Sequence, residues 1–153
     1  MLVTSQPWGG SMKKEVVGYT TGVFDLFHVG HVNLLRNAKS MCDKLIVGVS
    51  VDELVSYKNK TSVIKYPERA EIVRSVRYVD LVVPQIDMNK LDAWEKYKFD
   101  IMFVGSDWQN TDKWNEIEKA LGEKGVRVIY FPYTRGVSST LINEILKERR
   151  EDK

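Results

Sequence analysis

The chain has 153 residues and a formal net charge of +2; 43% of its residues are hydrophobic and 29% charged. That length predicts one domain able to bury a core unaided, and so small a net charge gives no argument for a nucleic-acid partner. A single cysteine, Cys42, excludes an intrachain disulfide and fits a reducing, cytoplasmic compartment, and no apolar run is long enough to insert in a membrane.

Residues 1–11 are polar, with Pro7, Gly9 and Gly10, lack the apolar stretch of a signal peptide, and read as an extension ahead of one domain over 12–150. "EVVGYT" is a β-rich run ending at Thr20, Thr21 and Gly22. "GHVNLLRNAKSM" follows, with Val32, Leu34, Leu35 and Ala38 approximating a helical stripe. "KLIVGVS" is continuously apolar over the length of a strand, as a strand buried on both faces must be. "SVDELVSYKNKTSVIKY" is read as a long irregular stretch, of the kind that is functional or mobile. Pro67 and Glu68 open a helix in "PERAEIVRSV"; "DLVVP" is a third strand, closed by Pro84. Then come a helix in "NKLDAWEKYK", a strand in "DIMFVG", a helix in "DKWNEIEKALGEKG" stopped by Gly125, a strand in "VRVIYFP", and a C-terminal helix in "SSTLINEILKERRE" capped by Ser138 or Ser139. Alternating strands and helices predict an α/β fold: a Rossmann-like, doubly wound parallel sheet of five strands.

The only two histidines, His28 and His31, fall in "GVFDLFHVGH", between the first strand and the first helix. In such sheets ligands bind beyond the carboxyl ends of the strands, where this turn lies. Gly22 permits a tight turn or close approach to a ligand. The following helix N-terminus offers free N–H groups and a partial positive charge, which suit a phosphate, and each imidazole can add a hydrogen bond. That equipment suits nucleotidyl transfer. An ionised acceptor phosphate attacks the α-phosphorus of a nucleoside triphosphate, so the protein need only align the reactants and stabilise charge. The plain alternative is a helix cap and a core histidine. Zinc is a poor reading, because neither Cys nor Glu lies near the pair.

"GVFDLFHVGH" resembles the signature of the cytidylyltransferases within the HxGH nucleotidyltransferases. "ERAEIVRSVRYVDLVVP", "GSDW" and "RGVSST" resemble further motifs of that family, so the likeness runs from about Glu15 to about Glu148. In length the chain is most like the bacterial glycerol-3-phosphate enzymes. The resemblance implies that His28 and His31 contact the triphosphate and stabilise the transition state. Gly22, Val23 and Phe24 then line the nucleotide through their backbone, with Val23 where the family often has Thr, and Asp25 braces the loop. Lys58 and Lys60, in "KNK", are implied to reach the phosphates, Lys58 with a catalytic role, and Arg77 to join them in binding the acceptor phosphate. Arg69, eight residues before Arg77, reads otherwise as a surface ion pair. Asp107 and Trp108 are implied to contact substrate or base; Trp108 could equally fill a core.

Arg135, Gly136, Val137, Ser138, Ser139 and Thr140 are implied to bind the triphosphate as the last helix opens. Here the chain departs from the family's Arg-Thr-Glu-Gly-Ile-Ser-Thr: Tyr133 stands where arginine is expected and Arg135 where glutamate is. The expectation is a cytoplasmic homodimer joining CTP, with Mg²⁺ as cofactor, to a small phosphorylated alcohol, first of all glycerol 3-phosphate. Phosphocholine, phosphoethanolamine or a sugar phosphate is the alternative acceptor. An adenylyltransferase using ATP is the alternative enzyme, and a non-catalytic nucleotide-binding module the alternative class.

Overall fold

The computed structural model of the protein describes residues 14–57, 59–132 and 144–148. Five strands, β1 (Val17–Gly22), β2 (Lys44–Ser50), β3 (Leu81–Gln85), β4 (Ile101–Gly105) and β5 (Arg127–Phe131), alternate with α1 (Val29–Lys39), α2 (Asp52–Tyr57), α3 (Tyr66–Arg74), α4 (Lys90–Tyr97) and α5 (Asp112–Glu123). All pairings are parallel, in the order β3-β2-β1-β4-β5. This is the Rossmann-like sheet expected from the alternation.

The apolar run of β2 divides by strand periodicity. Leu45, Val47 and Val49 face one side, with Leu35 and Ala38 of α1 and Val73 of α3; Ile46 faces the other, with Met102 and Val104 of β4 and Trp114 and Leu121 of α5. The sheet is therefore buried between two helical layers. Pro84 is tolerated in β3 because that strand pairs on one side only, with β2. Gly125, at φ +83°, ends α5 as a left-handed residue.

The stretch after β2 differs from the expectation of an irregular loop, since it opens with α2. A helix of six residues is too short to be stable on its own. It exists because Leu54 and Val55 are buried and because Asp52, at its start, accepts the Tyr66 N–H and an Arg69 N–H. Residues 144–148 are helical, within the predicted C-terminal helix. Residues 1–11, Lys58, Tyr133 and the run from Arg135 through Gly136, Val137, Ser138, Ser139 to Thr140 lie outside the described residues.

Strand order sets the site. The chain leaves β1 toward β2 on one side, and after β3 it crosses to β4 on the other. The connections leaving the carboxyl ends of β1 and β4 therefore diverge, and a crevice opens between them.

Candidate active site

The turn from β1 to α1 begins with a close contact. A Cβ on Gly22 would lie 2.9 Å from the Phe24 ring, so only glycine lets that ring pack where it does. Phe24 is buried, and its backbone is left-handed, at φ 55°; Leu26 follows at φ 49°. Such conformations are costly for side chains with a Cβ and persist when their surroundings fix them. Asp25 supplies part of that fixing. Its carboxylate accepts the N–H groups of Leu26, Val63 and Ile64 at 3.1, 2.7 and 2.9 Å, and so braces the turn against the chain that leads into α3.

The two histidines then cap α1 reciprocally. His28 is the N-cap, in extended conformation, and its Nδ1 accepts the Gly30 N–H at 3.0 Å; His31 Nδ1 accepts the His28 N–H at 3.2 Å. This is a capping box built from imidazoles. The rings stack with centroids 4.0 Å apart, and His31 also packs against Phe24 and Phe27, at 5.3 and 5.1 Å. Burial holds the His28 pKa below its ordinary value. Burial and the neighbouring His28 push His31 down to about 4, while Asp25 pulls the other way. Both rings are therefore neutral at pH 7. Because each Nδ1 accepts a backbone hydrogen, each proton must sit on Nε2, which is left as a donor. The first turn of α1 has no acidic residue.

Beside this turn a cleft of about 200 Å³ follows the crevice between β1 and β4. Gly22 and Val23 line one part of it, and Trp108, Lys90 and Lys113 another. Trp108 ends a 3-10 turn (Ser106–Trp108) directly after β4 and is half-exposed, not core. Asp107 is exposed in the same turn.

Lys90 was not legible as a site residue in the sequence. At the start of a helix rich in lysine it reads as a solvated side chain. In the fold it is 6% exposed, donates to Thr21 Oγ1 at 3.2 Å and approaches the Trp114 ring at 6.0 Å. The one sequence signal was its place, directly after β3 at the edge where ligands bind.

The remaining expected residues divide. Lys60 is exposed in the chain after α2, whose later residues, Val63 and Ile64, are bound to Asp25. Arg77 is elsewhere. It precedes β3, at the amino edge of the sheet, and donates to the Tyr78 hydroxyl at 2.8 Å; Arg36, from the far end of α1, donates to the same oxygen at 3.2 Å. These two guanidinium groups hold the Tyr78 phenol below its ordinary pKa. Within one chain, Arg77 and the histidines occupy opposite edges of the sheet. Arg69 is not the surface ion pair expected. It is fully buried on α3, which packs against β2 and β3, and it is paired there with Asp52 at the start of α2.

The cytidylyltransferase-like family model matches residues 19–145. The chain belongs to the cytidylyltransferase-like family. It is thus a nucleotidyltransferase, and the match spans both the histidine turn and the 3-10 turn after β4. It is 40% identical to a glycerol-3-phosphate cytidylyltransferase of Staphylococcus aureus, over 87% of this chain and 95% of that one. It is 36% identical to an FAD synthase of Pyrococcus abyssi, over 94% and 96%. Among solved structures, a lipopolysaccharide core biosynthesis protein of Thermoplasma volcanium shares the fold. Its TM-score is 0.67 at 24% identity, with 79% of this chain and 98% of that one covered.

Proposed function

We propose that this cytidylyltransferase-like protein transfers CMP from CTP to glycerol 3-phosphate. An oxygen of the acceptor phosphate bonds to the α-phosphorus of CTP, the bond to the bridging oxygen breaks, and pyrophosphate leaves. The observation that carries the reading is the reciprocal cap of His28 and His31. It presents two neutral Nε2–H donors at a helix N-terminus whose positive end no side chain of its first turn offsets. Gly22, Val23 and Phe24 offer backbone to the nucleotide, and Lys58, Lys60 and Arg135 to Thr140 close on its phosphates. Trp108, which lines the cleft, contacts substrate or base, with Asp107 beside it in the same 3-10 turn. The acceptor arrives ionised, so no general base is needed.

Mg²⁺ belongs to this reading as the companion of CTP. In this reading the ion is carried by phosphate oxygens and water. When bound, it would offset negative charge on the triphosphate. Likeness to a family of phosphoalcohol enzymes favours a cytoplasmic setting; among the described residues no helix is long and apolar enough to cross a membrane. Arg77 takes part in acceptor binding only if a second copy of the chain brings it to the histidine turn, and we include that homodimer in the proposal.

Adenylyl transfer is the second reading. It draws on the similarity to an FAD synthase over nearly the whole chain and on Tyr133, which replaces the arginine expected of cytidylyltransferases. The test is pyrophosphate release with Mg²⁺, crossing CTP, ATP, UTP and GTP against glycerol 3-phosphate, phosphocholine, phosphoethanolamine, sugar phosphates and FMN. Turnover with CTP and glycerol 3-phosphate is the expected result. Turnover with ATP alone would overturn it in favour of the second reading.

A further inference from the structure

One buried side chain, absent from the cleft lining, binds the β1–α1 turn, the end of β2, the start of α2 and the segment before α3. Arg69, on α3, is 0% exposed. Its Nε donates to the Ile64 carbonyl at 2.7 Å, and one terminal nitrogen donates to the carbonyls of Val23 and Ser50, both at 2.8 Å. The other donates to Asp52 Oδ1 at 2.7 Å. Asp52 in turn accepts the Ser62 hydroxyl at 3.1 Å and the Tyr66 N–H at 3.2 Å. Burial alone would raise the Asp52 carboxyl; the Tyr66 N–H, the Arg69 guanidinium and the Ser62 hydroxyl together bring it below its usual range.

These bonds have a pattern. Asp25 binds the N–H groups of Val63 and Ile64, Arg69 binds the Ile64 carbonyl, and Asp52 binds Ser62 and Tyr66. The whole stretch from Ser62 to Tyr66 is thereby fastened, and the Val23 carbonyl is fastened to the same guanidinium. Lys60 precedes Ser62 by two residues. A guanidinium is suited to this because its five donors lie in one rigid plane, whereas an ammonium has a single centre.

We infer that Arg69, held by Asp52, is a positioning residue that couples the lysine segment to the histidine turn. Its role is to keep the base of the "KNK" stretch and the Val23 carbonyl at a fixed separation. Force on the lysines from a bound triphosphate is then transmitted to the turn, and the turn in turn sets where the lysines can reach. This rests on the proposed use of Lys60 in binding the triphosphate.

A double-mutant cycle tests it, read as CTP affinity by calorimetry on the full chain with Mg²⁺, so the acceptor's identity is immaterial. Lys60→Ala is expected to weaken CTP binding by about tenfold in the parent and by less than about threefold in Arg69→Lys. Arg69→Lys keeps the charge but supplies one donor centre for four acceptors. Asp25→Asn is the second background, for use if Arg69→Lys does not fold. Its amide presents donors where the Val63 and Ile64 N–H groups need acceptors, so it releases the same segment from the other side. Effects that multiply would show Arg69 to be a structural staple alone and overturn the inference while leaving the lysine reading intact. An unchanged affinity in Lys60→Ala in the parent would overturn both. A lower melting temperature with additive affinities supports only the staple.

Discussion

The ring of His28 has two nitrogens, and its own backbone claims one of them. Nδ1 caps α1, which leaves Nε2 for a phosphate, so the plain reading of the motif as a cap and the chemical reading of it describe different atoms. Two substitutions separate them. His28→Ala should lower kcat by about 100-fold or more and cost about 1 kcal/mol of stability. His28→Asn, a good N-cap, should recover the melting temperature but not the turnover. Pyrophosphate release and thermal melts check both. His31 predicts a pH effect. Its folded pKa, about 4, lies below the ordinary histidine value, so the unfolded chain binds a proton that the folded one refuses. The stability this contributes is complete above about pH 6.5 and falls as the pH drops toward 4. His31→Gln keeps a side chain suited to the capping box and removes the titration. Its melting temperature should fall less between pH 7 and 5 than that of the parent; an equal fall would mean that other groups carry the acid sensitivity.

Among the elements, β2 was legible to the residue, because a continuous apolar run has only one use in a sheet covered on both faces. Gly125 was legible as a stop for a similar reason: its position demands a conformation other residues resist. α2 was not. Its stability comes from partners far along the chain, and local pattern carries no trace of them. The same holds for Lys90 and Arg69, whose burial is a product of topology. The β1–α1 turn was legible as a motif, but its left-handed Phe24 and Leu26 were not, since neither residue type signals positive φ. The contact between Gly22 and Phe24 gives a prediction for this element. Gly22→Ala should destabilise the protein by about 1–3 kcal/mol, because the buried ring has little room to retreat. Denaturant unfolding measures it, and an unchanged midpoint would show that the ring can move.

For the molecule as a whole, the strand order places the histidines and Arg77 at opposite edges of one sheet, so a shared site demands two chains. Mixing tests this. Inactive His28→Ala and inactive Arg77→Ala chains, unfolded and refolded together, should regain up to about a quarter of parental turnover, since half of the random pairs contain one complete site of two. No recovery would remove Arg77 from the site. Pro84 constrains how two copies of the proposed homodimer would meet. A sheet whose border strand offers an unbroken row of N–H groups invites another chain to extend it, and so courts fibrils as readily as dimers. Proline interrupts that row in β3, where the sheet ends on the side of Arg77. The protein is thereby guarded against growth by strand addition at this border.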